Sequence, residues 1–388
     1  MRHLSQIFAL AILTAACLSC APAPATEPLA TEPPPGASTN TNVEQLRRDI
    51  AEMLIVGFRG QTVGECPHIR RDIERYHIGG VILFEYDAPT GRHKRNISSP
   101  SQLASLCREL QSLAPETLLI GIDQEGGRVN RLREDQGFPH FMSAKQSADY
   151  GTDSIRHYAA LTAAQLQKAG VNLNFAPCVD VDVNPDCPVI GKLERSFSKS
   201  PKTVADAARI WIDEQRKRGV VSCLKHFPGH GSATGDTHIG LVDVSDTWQP
   251  SELLPYKTLI AEGTVDMVMT AHVVNTKLDS IYPSSLSSNV TMRLLRDSLG
   301  YDGVVITDDL AMGAIVNQYG YAEAVRLAIL AGADLLCLSN NGKAYNPDIV
   351  PQTTAIIEKL VFDGKIPPET IHESSERIRA LKSKIAQP

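Results

Sequence analysis

The stretch VVSCLKHFPGHGSATGDTH, residues 220–238, gives the strongest indication of how this chain folds. It opens with the apolar run Val220–Leu224, which predicts a buried strand. A lysine, three histidines and an aspartate then fall within the fourteen residues Lys225–His238, and the glycines between them predict a loop. A buried strand that ends in a polar, glycine-rich loop is a common place for chemistry in α/β proteins.

The same order of elements recurs along the chain, because amphipathic stretches end at glycine and short apolar runs follow. The eight apolar runs cover residues 53–58, 80–84, 118–122, 171–175, 220–224, 265–269, 304–307 and 335–338. Nearly continuous apolar runs are typical of parallel strands buried on both faces. The sequence therefore predicts an α/β fold, a TIM-like (β/α)8 barrel, as a single catalytic domain over residues 43–388.

An open, doubly wound sheet is the alternative architecture. The sequence contains neither a GxGxxG fingerprint after an early strand nor the GxxxxGK[ST] phosphate-binding pattern. Local signals also predict helix boundaries. Ser200 and Asp153 are expected to cap two helices, and a final helix is expected from about Pro368.

The amino terminus differs from the rest of the chain. Residues 1–20 combine a basic start with the apolar run Ile7–Leu18, which predicts a signal peptide rather than a membrane span. Small residues near Cys17 and Cys20 resemble a lipoprotein cleavage site, and either cysteine is a candidate for lipidation. Residues 21–42 are rich in Pro, Thr and Ala and predict an extended linker. We therefore expect an exported, membrane-anchored lipoprotein, periplasmic or otherwise outside the cytoplasm.

Composition excludes some classes of function. The chain has 388 residues, 21% of them charged, and a net charge of −6, which gives no electrostatic reason to expect nucleic-acid binding. The six cysteines beyond the predicted linker lack the CxxC spacing of zinc ribbons and thioredoxin-like proteins. Export would permit a disulfide between Cys178 and Cys187, and the sequence leaves that pairing open.

Polar side chains follow most of the predicted strands, and in a barrel these ends meet at one face. They include Asp123, Glu125, Asp180, Asp182, Lys225, His226, His272, Asp308 and Asp309. Some have structural alternatives. Asp309 is the better candidate for a helix cap, and Asp123 or Glu125 could form a salt bridge with Arg128 or Arg131.

The histidine-rich loop allows two chemical interpretations. His226, His230, Asp236 and His238 are all metal-ligand types, but their spacing matches no common zinc pattern. Acid–base catalysis fits better, because Asp236 lies two residues from His238 and can orient its imidazole. His226 and His230 are then expected to hold backbone groups of the loop.

The motifs KHFPGHG–x4–DTH, DQEGGRV and TDDL together closely resemble the glycoside hydrolase family 3 β-N-acetylglucosaminidases of the NagZ type. The resemblance spans residues 43–387 and implies a TIM-like barrel. It implies that Asp308 is the catalytic nucleophile, that His238 is the general acid/base, and that Asp236 is the partner of His238.

The same resemblance implies a set of sugar-binding residues. Asp123 matches the residue that holds sugar hydroxyls, while Arg131, Lys225 and His226 match further substrate contacts. Arg195 matches the arginine of the family's IGxRSF element, although this chain is two residues longer there, at IGKLERSF.

Together the motifs imply a retaining exo-β-N-acetylglucosaminidase acting on peptidoglycan fragments or related glycosides. We expect a monomer that needs no metal or cofactor. A histidine in place of the usual second carboxylate suggests an anionic leaving group, such as one bearing a muramic acid lactyl group. Four alternatives remain: a family 3 phosphorylase, a β-glucosidase, a metal-dependent hydrolase, and a lipoprotein that binds peptidoglycan without cleaving it.

Overall fold

The eight predicted apolar runs form the eight strands of one parallel sheet. A computed structural model describes residues 35–342 and 344–385, so the predicted signal peptide and most of the predicted linker lie outside the described residues. The strands are β1 Leu54–Gly57, β2 Gly80–Leu83, β3 Leu119–Ile122, β4 Leu173–Asn174, β5 Val221–Phe227, β6 Met267–Thr270, β7 Val304–Thr307 and β8 Leu336–Leu338.

The sheet closes on itself. Neighbouring strands follow chain order from β1 to β7, and β8 pairs with β1 through registers such as Val56 with Leu338. An isolated parallel bridge joins Ile306 to Leu335, and the amide of Thr307 donates to the carbonyl oxygen of Leu335 at 3.1 Å. These contacts bring β7 beside β8 and confirm the predicted (β/α)8 barrel over the open sheet.

Helical segments connect successive strands and bury one face each. Pro201–Arg216, for example, buries Val204, Ala208, Trp211 and Ile212, the face that helical spacing indicates. The α-helices are Pro35–Glu52, Pro67–Arg71, Pro100–Leu113, Ala144–Asp149, Thr152–Ala169, Pro201–Arg216, Leu254–Ala261, Gly313–Tyr319, Tyr321–Ala331, Ile349–Phe362 and Pro368–Lys382. Asp72–Tyr76 and Asn289–Ser298 are π-helical, and 3₁₀ turns cover Val63–Glu65, Glu134–Gln136, Gly191–Leu193, Pro250–Leu253 and Ser284–Leu286.

Two short ribbons lie outside the barrel sheet. Tyr86–Asp87 pairs antiparallel with Arg92–His93 directly after β2. Val242–Asp243 pairs parallel with Val273–Val274, which ties the long loop after β5 to the loop after β6.

The predicted helix boundaries are partly confirmed. Ser200 caps its helix by accepting the amide of Thr203 at 3.4 Å, and the last helix begins at Pro368. The prediction for Asp153 is wrong. The N-cap is Gly151, so Asp153 already lies in the first helical turn, where a negative charge favours the helix dipole.

The first described helix, Pro35–Glu52, begins inside the predicted linker. An extended linker is therefore wrong for residues 35–42, because the backbone is helical from a proline that suits a first helical position. Within the described residues, 42–342 and 344–385 form one compact unit. Within the described ranges, no helix has both the length and the apolar character that a membrane crossing requires.

Candidate active site

The polar side chains predicted at the strand ends meet at the carboxyl face of the barrel. Lys225 lies at the centre of one cluster. Its Nζ atom is 2.7 Å from Asp123 Oδ1, at the end of β3, and 2.7 Å from Glu125 Oε1. Lys225 and His226 still belong to β5, which ends at Phe227 rather than at the predicted Leu224. The longer strand fixes both side chains to the barrel wall.

Arg195 reaches the same cluster despite the two additional residues before it. Its Nε and Nη2 atoms each donate to the carboxylate of Glu125 at 2.8 Å, which forms a bidentate pair. The stretch before Arg195 contains the 3₁₀ turn Gly191–Leu193 and Glu194, which has a positive φ of 56°. Arg195 Nη2 also lies 3.3 Å from His226 Nε2, so the predicted sugar-binding residues form one connected network.

The cluster keeps its carboxylates ionised. Burial opposes the charge of Glu125, but Arg195 and Lys225 outweigh burial and hold its pKa far below the usual range. Burial likewise opposes the charge of Asp123, and Lys225 and Arg131 lower its pKa. The site therefore offers fixed charges of both signs to a polar ligand.

Asp180 is a site residue for which the sequence predicted a position but no role. It is fully buried directly beneath the histidine loop. Its Oδ2 atom is 2.7 Å from His226 Nδ1, and its Oδ1 atom accepts the amide of His230 at 2.7 Å. Its position five residues after the fourth apolar run was the available signal, because the end of β4 lies beside the end of β5.

The ring of His230 contacts a side chain of the loop rather than the backbone groups that it was expected to hold. It is 3% exposed, and burial lowers its pKa to about 4, so the ring is neutral at physiological pH. Its Nε2 atom lies 3.4 Å from Thr237 Oγ1 on the same loop.

Asp236 and His238 form a local pair at the exposed end of the loop. Asp236 Oδ1 accepts the backbone amide of His238 at 2.9 Å and lies 2.7 Å from its Nδ1 atom. The His238 side chain is 69% exposed, in contrast to the buried His226 and His230. This separation means that the loop histidines do not form the single metal cluster considered from the sequence.

Asp308 is the first residue after β7, at the start of the next loop. Its backbone amide donates to the carbonyl oxygen of Thr270, and its Oδ1 atom accepts the amide of Asp309 at 2.8 Å. Burial would raise its pKa, but His272, His226 and His238 outweigh burial and hold the pKa at about 2. Asp308 is therefore an ionised carboxylate.

The predicted helix cap at Asp309 is wrong. Asp309 Oδ1 accepts the amides of Ala311 and Ser339, and the Ser339 hydroxyl donates to Oδ2, while the next helix starts after Met312. The carboxylate thus joins the β7 and β8 loops, because barrel closure brings Ser339 beside it.

His272, at the end of β6, fixes the backbone beside Asp308. It is fully buried, its Nε2 atom donates to the Asp309 carbonyl oxygen at 2.9 Å, and its Nδ1 atom lies 2.6 Å from Ser285 Oγ.

Cys178 and Cys187 are separate buried thiols, which answers the disulfide question left open by the sequence. Cys178 donates to Asp180 Oδ2 at 3.2 Å, and Cys187 donates to the His230 carbonyl oxygen at 3.5 Å. Among the described residues, Cys178, Asp180 and His226 are near enough to hold a metal ion together. Their hydrogen bonds to one another already account for their proximity.

Comparison with known proteins indicates the family to which this barrel belongs. The model of the glycosyl hydrolase family 3 N-terminal domain matches residues 45–381. A β-hexosaminidase of Tolumonas auensis is 36% identical over 278 residues, 70% of this chain and 78% of its own length. β-Hexosaminidase A of Pseudoalteromonas piscicida is 34% identical over 83% of this chain, which spans 56% of that protein.

A solved family 3 β-N-acetylglucosaminidase from Paenibacillus sp. str. FPU-7 superposes with a TM-score of 0.80 at 35% identity. The match covers 88% of this chain and 64% of the Paenibacillus chain. The part of this chain that matches these proteins is therefore the barrel. The chain belongs to glycosyl hydrolase family 3 and is a glycoside hydrolase related to its β-hexosaminidases.

Proposed function

We propose that the protein is a retaining exo-β-N-acetylglucosaminidase that releases terminal N-acetylglucosamine from peptidoglycan fragments or related glycosides. The observation that carries this proposal is the division of the site between two walls. The ionised Asp308 follows β7, and the charged cluster of Asp123, Lys225 and Arg195 occupies the β3–β5 side. A sugar held by the cluster would present its anomeric carbon to Asp308.

The chemistry proposed for Asp308 is nucleophilic. One of its carboxylate oxygens attacks the anomeric carbon while the glycosidic C–O bond breaks, and the leaving oxygen takes a proton from His238. His238 then removes a proton from water, the water oxygen bonds to the anomeric carbon, and Asp308 leaves. Inversion at each of the two steps gives net retention.

Asp236 supports the proposed role of His238 in these proton transfers. The short contact between Asp236 Oδ1 and His238 Nδ1 favours the tautomer with hydrogen on Nδ1, which leaves Nε2 to exchange protons with the substrate. The nearby carboxylate also stabilises the imidazolium ion that donates the proton in the first step and that forms again in the second.

The proposal is tested by release of 4-nitrophenol from its β-GlcNAc and β-glucose derivatives. The wild-type enzyme should prefer the GlcNAc derivative, and Asp308→Ala should lose at least about a thousandfold in kcat because no other group replaces the nucleophile. Asp302→Ala is the matched control, since Asp302 is exposed just before β7. Absence of GlcNAc activity, or an active Asp308→Ala variant, would overturn the assignment.

The same assay with and without inorganic phosphate distinguishes hydrolysis from phosphorolysis. A hydrolase releases free N-acetylglucosamine in both buffers, whereas a phosphorylase requires phosphate and yields the sugar 1-phosphate.

We also propose that residues 1–20 direct export and that Cys17 or Cys20 carries a lipid, with the linker leading to the barrel domain. Motif resemblance and composition support this division, and the segment lies outside the described residues. Retention of the native protein in the membrane fraction, and its release when both cysteines are replaced by serine, would test the anchor.

A further inference from the structure

Two buried polar atoms beside the sugar-binding cluster have no hydrogen-bond partner among the described residues. They are Oε2 of Glu85 and Nε of Arg131. Glu85 is only 8% exposed. A buried polar group without a partner costs about 1–3 kcal/mol, and such groups are rare in folded proteins. The two atoms face each other as an ion pair without a hydrogen bond between them, so each is available to a hydrogen-bonding ligand.

Glu85, Arg131 and Asp123 form a continuous row along the barrel wall. Glu85 Oε2 lies 3.4 Å from Arg131 Nε, and Arg131 Nη2 lies 3.5 Å from Asp123 Oδ2. The Arg131 guanidinium group lies over the ring of Phe84, 5.7 Å from its centroid. These ion-pair distances are long for hydrogen bonds, so the row keeps donors and acceptors available.

The backbone holds Glu85 in this position. The carbonyl oxygen of Glu85 accepts the amide of Arg95 at 3.2 Å, and that of Phe84 accepts the amide of Asn96 at 2.9 Å. The Asn96 side chain accepts the amide of Phe84 at 3.0 Å. These hydrogen bonds fix the backbone of Phe84 and Glu85 after β2. The carboxylate of Glu85 is therefore held near Arg131 before substrate arrives.

Barrel order indicates which part of a sugar would meet Glu85. Strands β3 and β7 are four places apart in an eight-stranded barrel and therefore lie on opposite sides, with β2 next to β3. A sugar whose anomeric carbon is at Asp308 directs the far end of its ring, with the 3-, 4- and 6-hydroxyls, toward the wall of β2 and β3.

We propose that Glu85 is a further sugar-binding residue, whose Oε2 atom accepts a hydrogen bond from one of these hydroxyls while Arg131 donates to the same end of the sugar. This inference rests on the proposed function and adds a specificity contact to it. The competing explanation is that Glu85 touches no substrate and serves only to orient Arg131.

The two explanations differ in how Glu85→Gln acts on deoxy substrates. kcat/KM is measured for 4-nitrophenyl β-GlcNAc and for its 3-, 4- and 6-deoxy analogues with the wild type and Glu85→Gln. We expect a tenfold to hundredfold loss on the parent substrate, roughly the value of a hydrogen bond to a charged group. The loss should shrink to about threefold or less on the one analogue that lacks the bonded hydroxyl, because no bond remains to be lost.

Glu134→Gln is the matched control, since Glu134 is exposed on the loop that carries Arg131. It should behave as the wild type on all four substrates. Glu85→Asp keeps the charge but shortens the side chain, and the same selective pattern is expected from it should Glu85→Gln fold poorly by circular dichroism.

An equal loss on the parent and all three analogues would overturn the assignment, since a residue that only orients Arg131 cannot distinguish them. A wild-type enzyme without activity on the parent glycoside would overturn the proposed function itself, and this inference with it.

Discussion

At the scale of single residues, Lys225 shows how the site keeps a buried charge. Burial would lower the pKa of its ammonium group, but Asp123 and Glu125, each 2.7 Å away, outweigh burial and raise it. Removing one member of such a group is costly, because the others stay buried without compensation. The positive charge available to a sugar is therefore permanent.

His238→Glu tests the suggestion that histidine suits an anionic leaving group. A carboxylate at this position would repel the lactyl carboxylate of a muramyl-linked substrate but not a neutral aryl glycoside. Repulsion at an exposed position is about 1 kcal/mol, so activity should fall roughly fivefold further on the muramyl substrate.

The measurement is kcat/KM of the wild type and His238→Glu on both substrates, and the additional loss should shrink in high salt. His140→Glu is a control that adds the same charge at an exposed histidine outside the site. Equal losses on the two substrates would argue against the suggestion.

At the scale of elements, β5 and the following loop divide into a fixed base and an exposed tip. Asp180 holds the base through His226 and His230. Glu252, on the 3₁₀ turn Pro250–Leu253, adds a second support by accepting the amide of Gly231 at 3.1 Å. The Asp236–His238 pair at the tip has no equivalent buried support among the described contacts, so the proton-transfer groups lie on the less constrained part of the loop.

Glu252 should make stability depend on pH. It is fully buried, and burial raises its pKa from 4.5 to about 7. The folded state therefore binds this proton more tightly than the unfolded state. The resulting stabilisation is complete below about pH 4.5 and is lost as pH rises to about 7, by up to about 3 kcal/mol.

Urea unfolding of the wild type and Glu252→Gln at pH 5 and pH 8 measures this contribution. The wild type should lose more free energy of unfolding between the two values than the variant, which cannot titrate there. Other groups, including His230, titrate in both proteins and cancel in the difference. Glu369→Gln, at an exposed glutamate, should keep the wild-type profile, and parallel profiles for Glu252→Gln and wild type would contradict the prediction.

At the scale of the whole molecule, the first and last described helices are joined beside the barrel. Asp49, 3% exposed, accepts hydrogen bonds from Arg379 at 2.5 Å and from Ser375 at 3.0 Å, and lies 3.1 Å from His372 Nδ1. Because the helix ends just before β1, Asp49 lies at the amino-terminal face, away from the site. This stabilising cluster thus lies on the face opposite the candidate active site, where structural contacts are common in barrels.

Asp49→Ala should therefore weaken the fold without changing the chemistry. Loss of the carboxylate leaves Arg379 and Ser375 without their partner, and we expect a loss of about 3 kcal/mol in the free energy of unfolding. Urea unfolding measures the loss, and kcat at 25 °C should stay within twofold of the wild type. Glu44→Ala, at an exposed position of the same helix, should be neutral, and a large fall in kcat for Asp49→Ala would refute the separation of the two faces.

The sequence by itself determined the barrel, because each strand is a local apolar run and each connecting helix has its own periodicity and caps. It also indicated the polar residues that follow the strands, including Asp123, Lys225 and Asp308. These signals can be read without tertiary information, since the apolar run of a buried strand and the capping residue of a helix each lie within a few neighbouring residues.

Only the tertiary structure decided which polar groups meet. Arg195 reaches Glu125 across a lengthened loop, Asp180 lies beneath the histidines, and Asp309 binds Ser339 instead of capping a helix. The proposed role of Glu85 depends on its position beside Arg131, which the sequence did not indicate. Such contacts join residues far apart in the chain, and their geometry follows from closing the barrel, which no local pattern records.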